Sequence, residues 1–112
     1  MSDDRLPTAL YVDAHLAQLT AQGIPYYILN KGPEASGIVM LKLFAPGKSC
    51  QLLIQQRDFE GVMGWMHALG SENVEERDAD AYITRAIGRD PDLWVIEIED
   101  AQMRNPFEGK VF

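Results

Sequence analysis

Glu97 and Glu99 stand two residues apart in the run Leu93-Trp94-Val95-Ile96-Glu97-Ile98-Glu99, and in a β-strand that spacing projects both carboxylates from one face. With Asp80, Asp92 or Asp100 close by, they would offer Mg²⁺ or Mn²⁺ the hard oxygen ligands these ions prefer. The plainer account is a solvated face on an edge strand, where charge discourages aggregation between sheets. Carboxylate groups on regular elements are more often surface charge than ligands. The acids of the preceding segment have an equally plain explanation, because Glu75, Glu76 and Asp78 head a helical pattern that closes with Arg85 and Arg89. That is the order the helix dipole favours. No metal is assigned, and Glu97 and Glu99 stand as the weak candidates for one.

Other residues with reactive side chains read more simply as structure. Histidine is the usual general base near neutral pH, but His15 and His67 lie in different elements and neither has a recognisable nucleophile beside it. His15 edges the apolar stripe of its helix, and His67 alternates with Trp65 in a sheet pattern. Cys50 alternates with Leu52 and Ile54, which puts it on an apolar face where a free thiol behaves as a small hydrophobe. Trp65, Trp94, Tyr26, Tyr27 and Tyr82 could line a pocket or an interface, yet a domain this small needs such side chains for its core. No phosphate-binding glycine loop, dinucleotide fingerprint, nucleophile elbow or His-Glu-x-x-His helix occurs. The chain therefore shows no catalytic residue and implies no cofactor, so an enzyme is the less favoured reading.

The elements that hold these residues follow from periodicity. Leu10, Val12, Leu16 and Leu19 recur with helical spacing between Thr8, a plausible N-cap, and Gly23, predicting a helix over 9–22. Ile24 to Leu29 reads as a strand whose Pro25 marks its start or a sheet edge. Ile38 to Phe44 is the clearest strand, with Val39, Leu41 and Leu43 on one face and Ile38, Met40, Lys42 and Phe44 on the other. Cys50 to Arg57 alternates as an antiparallel strand, and Val62 to Leu69 is a weaker one interrupted by Gly64. Asn73 and Glu76 have capping-box spacing, and Ala79, Tyr82, Ile83, Ala86 and Ile87 follow one helix face until Asp90-Pro91 closes it. Leu93 to Glu99 is the last strand. The order α-β-β-β-β-α-β predicts a two-layer α+β domain, with both helices on one face of a mostly antiparallel sheet of four or five strands. The helix before the last strand also permits that strand to run parallel to a neighbour.

The 112 residues suit one domain spanning 1–112, with a polar lead over 1–7 and an irregular tail over 101–112. A chain of this size buries roughly two thirds of its unfolded surface. One cysteine excludes an intrachain disulfide and fits a reducing compartment. The acidic start Met1-Ser2-Asp3-Asp4-Arg5 lacks the basic lead and apolar run of a secretory signal, so a cytoplasmic location is expected. The net charge is −7, and residues 72–100 hold ten acids against Arg77, Arg85 and Arg89. Nucleic acid and anionic membranes are disfavoured partners, whereas a basic protein, a cation or a cationic metabolite suits the charge.

Asp78-Ala79-Asp80-Ala81-Tyr82-Ile83, followed by Asp90-Pro91-Asp92-Leu93-Trp94-Val95-Ile96-Glu97-Ile98-Glu99-Asp100, resembles a family of short, mainly alphaproteobacterial proteins known as domain of unknown function 1491. A helix ending near Gly23-Ile24-Pro25, a Lys31-Gly32 turn and an apolar strand over Gly37 to Leu43 extend the resemblance, which covers most of residues 6–100. It implies a bacterial cytoplasmic protein without an assigned activity and supplies no catalytic residue. It does imply where a binding site would be sought: on the helix bearing Asp78, Asp80 and Tyr82, and on the turn and strand bearing Asp92 and Trp94. Two functions fit the residues. The favoured one is a non-catalytic binding or adaptor module whose acidic last third meets a protein partner, and a homodimer through a sheet edge or aromatic patch also fits. The alternative is a small metal-assisted hydrolase or transferase, which requires at least three of Asp80, Asp92, Glu97 and Glu99 to converge.

Overall fold

The computed structural model describes residues 7–112, so all of the polar lead except Pro7 lies outside the described residues. Helix α1 spans Thr8–Ala21, strand β1 Tyr26–Asn30, β2 Val39–Phe44, β3 Cys50–Arg57, β4 Met63–His67, helix α2 Glu76–Arg89, and β5 Trp94–Glu99. This is the predicted α+β class and element order. Thr8 is the first helical residue, and Pro7 takes the N-cap place without a side-chain bond. Asn73 does not cap α2. Val74 exchanges two main-chain hydrogen bonds of 2.9 Å with Cys50, which keeps that stretch extended and delays the helix to Glu76, with Glu75 at the cap position.

The five strands form one sheet in the order β1-β5-β2-β3-β4. Strands β2, β3 and β4 make the expected antiparallel hairpins. Between β1 and β2, however, lies β5, antiparallel to β1 and parallel to β2. The run of neighbouring antiparallel strands consecutive in the chain is therefore limited to three, and β5 is an inner strand rather than an edge. Helix α2 returns the chain from the β4 edge across the sheet to that slot, the crossover a parallel pair needs.

The helices do not share a face of the sheet. Val12, Leu16 and Leu19 of α1 pack with Val39, Leu41, Leu43, Leu53, Trp65, Trp94, Ile96 and Ile98. Ala79, Ile83 and Ala86 of α2 pack with Met40, Cys50, Leu52 and Val95. These two sets alternate along β2, β3 and β5, and successive strand residues point to opposite sides. The expected two layers are thus three, helix–sheet–helix. The apolar residues on both faces of Ile38 to Phe44 are the physical reason, because each face needs a cover.

The two edges of the sheet differ. At β4, residues 110–112 lie alongside: the Trp65 N–H donates to the Lys110 carbonyl and the Phe112 N–H to the Trp65 carbonyl, both at 2.8 Å. A Cβ at Gly64 would meet the Phe112 ring and the Lys110 carbonyl, so this close approach requires glycine. Phe107 inserts under α1 against Trp65, Tyr11 and His15. Strand β1 has no such cover among the described residues. No helix among them is long and apolar enough to cross a membrane.

Candidate functional site

Lys42 is the most unusual side chain in the molecule. The two-residue period of β2 turns it toward α2, between Met40 and Phe44, and it is 1% exposed. Burying an ammonium without partners is prohibitively costly, and three carboxylates meet it. The parallel register sets Lys42 beside Glu97 of β5, whose Oε1 lies 3.1 Å from Nζ. The first turns of α2 add Glu76 Oε2 at 2.8 Å and Asp80 Oδ1 at 2.7 Å. These two residues are four apart and so share one helix face. An ammonium has three N–H donors, and three acceptors receive them. The Phe44 ring centroid lies 5.3 Å from Nζ, within cation–π range.

This arrangement determines what Lys42 can do. Burial alone pushes its pKa down, but the bonds to Asp80, Glu76 and Glu97 outweigh burial and hold it well above the ordinary lysine range. It stays charged at neutral pH and has no lone pair to act as base or nucleophile. Cys50, on the same side of the sheet, is fully buried. Burial pushes its thiol up, and the three carboxylates add to this against the pull of Lys42, which is opposite to the environment of a reactive thiolate. Three carboxylates share one ammonium, so the cluster keeps two surplus negative charges. Glu76 and Asp80 display them at the surface, while Glu97 is mostly covered.

The convergence that a metal centre would need is therefore present with a different membership. Asp80 and Glu97 meet, Glu76 is the third carboxylate, and the point between them is held by the Lys42 nitrogen. Among the described residues, no group of three or more His, Cys, Asp or Glu is arranged to hold a metal ion. Glu99 lies on the same face of β5 opposite Phe44, and Asp92 is at the far end of α2.

The other candidate residues are dispersed. Asp78 is exposed on the first turn of α2. Tyr82 packs half-buried beside the α2 core, with the Arg89 guanidinium 6.0 Å from its ring. Trp94 faces the opposite side of the sheet, where its Nε1 donates to the carbonyls of Pro33 at 3.1 Å and Ser36 at 3.3 Å. The same loop touches the Asp92 carbonyl: a Cβ at Gly32 or Gly37 would overlap that oxygen and the Trp94 indole. Asn30 ties the loop down with bonds from Nδ2 to the Leu93 and Pro91 carbonyls. Asp92 and Trp94 thus belong to a glycine-dependent loop anchor, and Asp80 belongs to the Lys42 cluster. His15 is stacked on Phe107 at 4.5 Å, and His67 lies on β4.

Sequence reasoning missed Lys42 and Glu76 as members of a cluster. The signal was available. Lys42 sits on a strand whose two faces are both apolar, and a buried lysine has to find carboxylates.

The chain matches the family model described as "Protein of unknown function (DUF1491)" over residues 6–108. A crystal structure of a DUF1491 family protein from Caulobacter crescentus CB15 is 29% identical, with a TM-score of 0.86 over 96% of this chain and 100% of that one. An NMR structure of a DUF1491 family protein from the same organism is 30% identical, with a TM-score of 0.82 over 96% of each chain. The solution structure of protein Atu0922 from A. tumefaciens, 23% identical with a TM-score of 0.69 over 86% of each chain, shares the fold. No curated protein matches. The chain belongs to the DUF1491 family.

Proposed function

We propose that this DUF1491 protein is a small cytoplasmic, non-catalytic binding module that recognises a basic segment of a protein partner through the acidic surface of α2 and its flanks. The observation that carries this reading is the surplus of two negative charges around Lys42, displayed by the half-exposed Glu76 and Asp80. Partly buried carboxylates are screened less by salt than fully solvated ones, and here they are held in fixed positions. Around them Asp78 and Glu72 are exposed, giving a field that attracts cationic groups and speeds their encounter. Three groups that could do chemistry are committed to structure: Lys42 is fully bonded, Cys50 is buried with its thiol pushed up, and His15 is stacked on Phe107 and tilted against Tyr11.

The test is recovery of partners from cytosol on the immobilised protein, beside a charge-reversed variant carrying Glu72→Lys and Asp78→Lys. Neither residue touches Lys42, so the fold is expected to stand. Proteins retained by the wild type and lost both from the variant and at ~1 M salt, where the screening length falls to about 3 Å, support the reading. Equal retention on both proteins, or a saturable thermal stabilisation by Mg²⁺ or Mn²⁺ that disappears in Glu97→Gln, would overturn it.

A further inference from the structure

A cleft of about 250 Å³ lies on the α1 face of the sheet, between the end of α1 and the segment that follows β5. That segment turns back on itself: the Met103 N–H donates to the Asp100 carbonyl at 2.9 Å, which brings Arg104 beside the Asp100 side chain. The main-chain N–H and Nε of Arg104 both donate to Oδ2, at 3.0 and 2.9 Å, and Nη2 donates to Oδ1 at 3.3 Å. The Asp100 side chain is 8% exposed, so a buried carboxylate fixes one edge of a guanidinium whose side chain is 62% exposed. A guanidinium has five N–H donors, and closing the turn uses only Nε and one hydrogen of Nη2. Both hydrogens of Nη1 and the second of Nη2 are left over. They form the end-on fork that matches a carboxylate with two parallel bonds.

The rest of the lining has the same bias. Asn105 Oδ1 accepts from the Phe107 N–H at 2.8 Å, which leaves its Nδ2 donors for the cleft. Gln18 on α1 and Gln22 at its C-cap add two exposed amides. Among the described residues Asp100 is the one carboxylate in the lining, and Arg104 already holds it. Unspent donors thus outnumber acceptors. A carboxylate only accepts, with about four lone-pair sites, and so answers that surplus. Ile24 and Pro106, both half-buried, add apolar wall. We propose that this cleft binds a small monocarboxylate, gripped end-on by the free Nη1–Nη2 edge of Arg104. Asn105 and the two glutamines donate to its remaining lone pairs, and its apolar body rests against Ile24 and Pro106. The volume falls just below the ~300–1,000 Å³ of drug-sized pockets, which restricts the ligand to a small molecule. The carboxylates around Lys42 lie on the other face of the sheet, so this site and the acidic surface of α2 stand or fall separately.

Benzoate is the probe, with benzamide as its uncharged counterpart and inorganic phosphate as an anion without an apolar body. In an NMR titration the side-chain amide signals of Gln18, Gln22 and Asn105 are expected to shift saturably with benzoate. Its affinity is expected to be at least about tenfold above that of benzamide or phosphate. Arg104→Gln is expected to weaken benzoate at least about tenfold and to leave benzamide unchanged. Because that variant also frees the Asp100 carboxylate, Gln22→Glu and Gln22→Lys give a second reading at an exposed position. Benzoate should bind about threefold more weakly to the first and about threefold more tightly to the second. Benzamide bound as tightly as benzoate, or equal benzoate affinity in the two Gln22 variants, overturns carboxylate recognition. Phosphate bound as tightly as benzoate overturns the part given to Ile24 and Pro106. The absence of a saturable shift at these three amides overturns the site.

Discussion

The two faces of the sheet are built by different means. Under α1, the buried cluster around Val12, Leu16 and Leu19 is apolar, and Trp94, Trp65 and Phe107 fill the space. Under α2, the helix offers the small Ala79 and Ala86, and the same strands carry a buried ammonium with three carboxylates. An apolar face is stabilised by area and fit, and each side chain contributes much on its own. An ionic face depends on all its members together: the pairs offset their own desolvation only when complete, and removing one partner strands the others. The first face supplies stability, while the second fixes where the start of α2 sits over β2 and β5, and hence where its acids point.

The largest test of this contrast is Trp94→Ala, expected to cost about 3–5 kcal/mol by loss of transfer energy and a cavity, read by urea unfolding. Because the glycine loop rests on the indole, the 31–37 segment should also become protease-sensitive. Next is Lys42→Met, expected to cost about 3 kcal/mol because three carboxylates then face one another without a cation. Adding Glu97→Leu should recover part of that loss, and a double-mutant cycle shows whether the cluster acts as a unit. A cost below about 1 kcal/mol for Lys42→Met would mean that the carboxylates simply turn to water.

The smallest effect separates the faces by pH. Asp100, at the end of β5, is held down to about 2 by the Arg104 guanidinium, which donates to it at 2.9 and 3.3 Å, from an ordinary value of 3.8. A group depressed in the folded state stabilises above its unfolded pKa, so this contribution is lost as pH falls from about 4 toward 2. Lys42 has the opposite sign. Its pKa is raised in the folded state, so its contribution is complete below the ordinary 10.5 and is lost only as pH rises beyond that. Melting temperatures across pH should therefore show an acid loss reduced in Arg104→Ala and an alkaline loss absent from Lys42→Met.

Local patterning made much of this fold readable. The alternation Val39, Leu41, Leu43 is core in the structure as expected, Trp94, Ile96 and Ile98 alternate into the same core, and α2 follows its Ala79, Ile83, Ala86 stripe. What escaped was set by distance along the chain. Lys42 finds Glu76 and Asp80 at separations of 34 and 38 residues, and period-two reasoning cannot show which neighbour a strand will have. The same limit hid the insertion of β5 and, with it, the inner position of Glu97. The tail showed no period because it forms no regular element: it acts through Phe107 and a few main-chain bonds beside Trp65.

The slot taken by β5 sets a schedule for synthesis on the ribosome. Among the described residues β1 pairs with no strand except β5, and Asn30 waits for Leu93, 63 residues later. At roughly 5–20 residues per second, that interval lasts about 3–13 s. Through it β2, β3 and β4 can close as hairpins while Tyr26–Asn30, apolar and unpaired, stays available to whatever binds nascent strands.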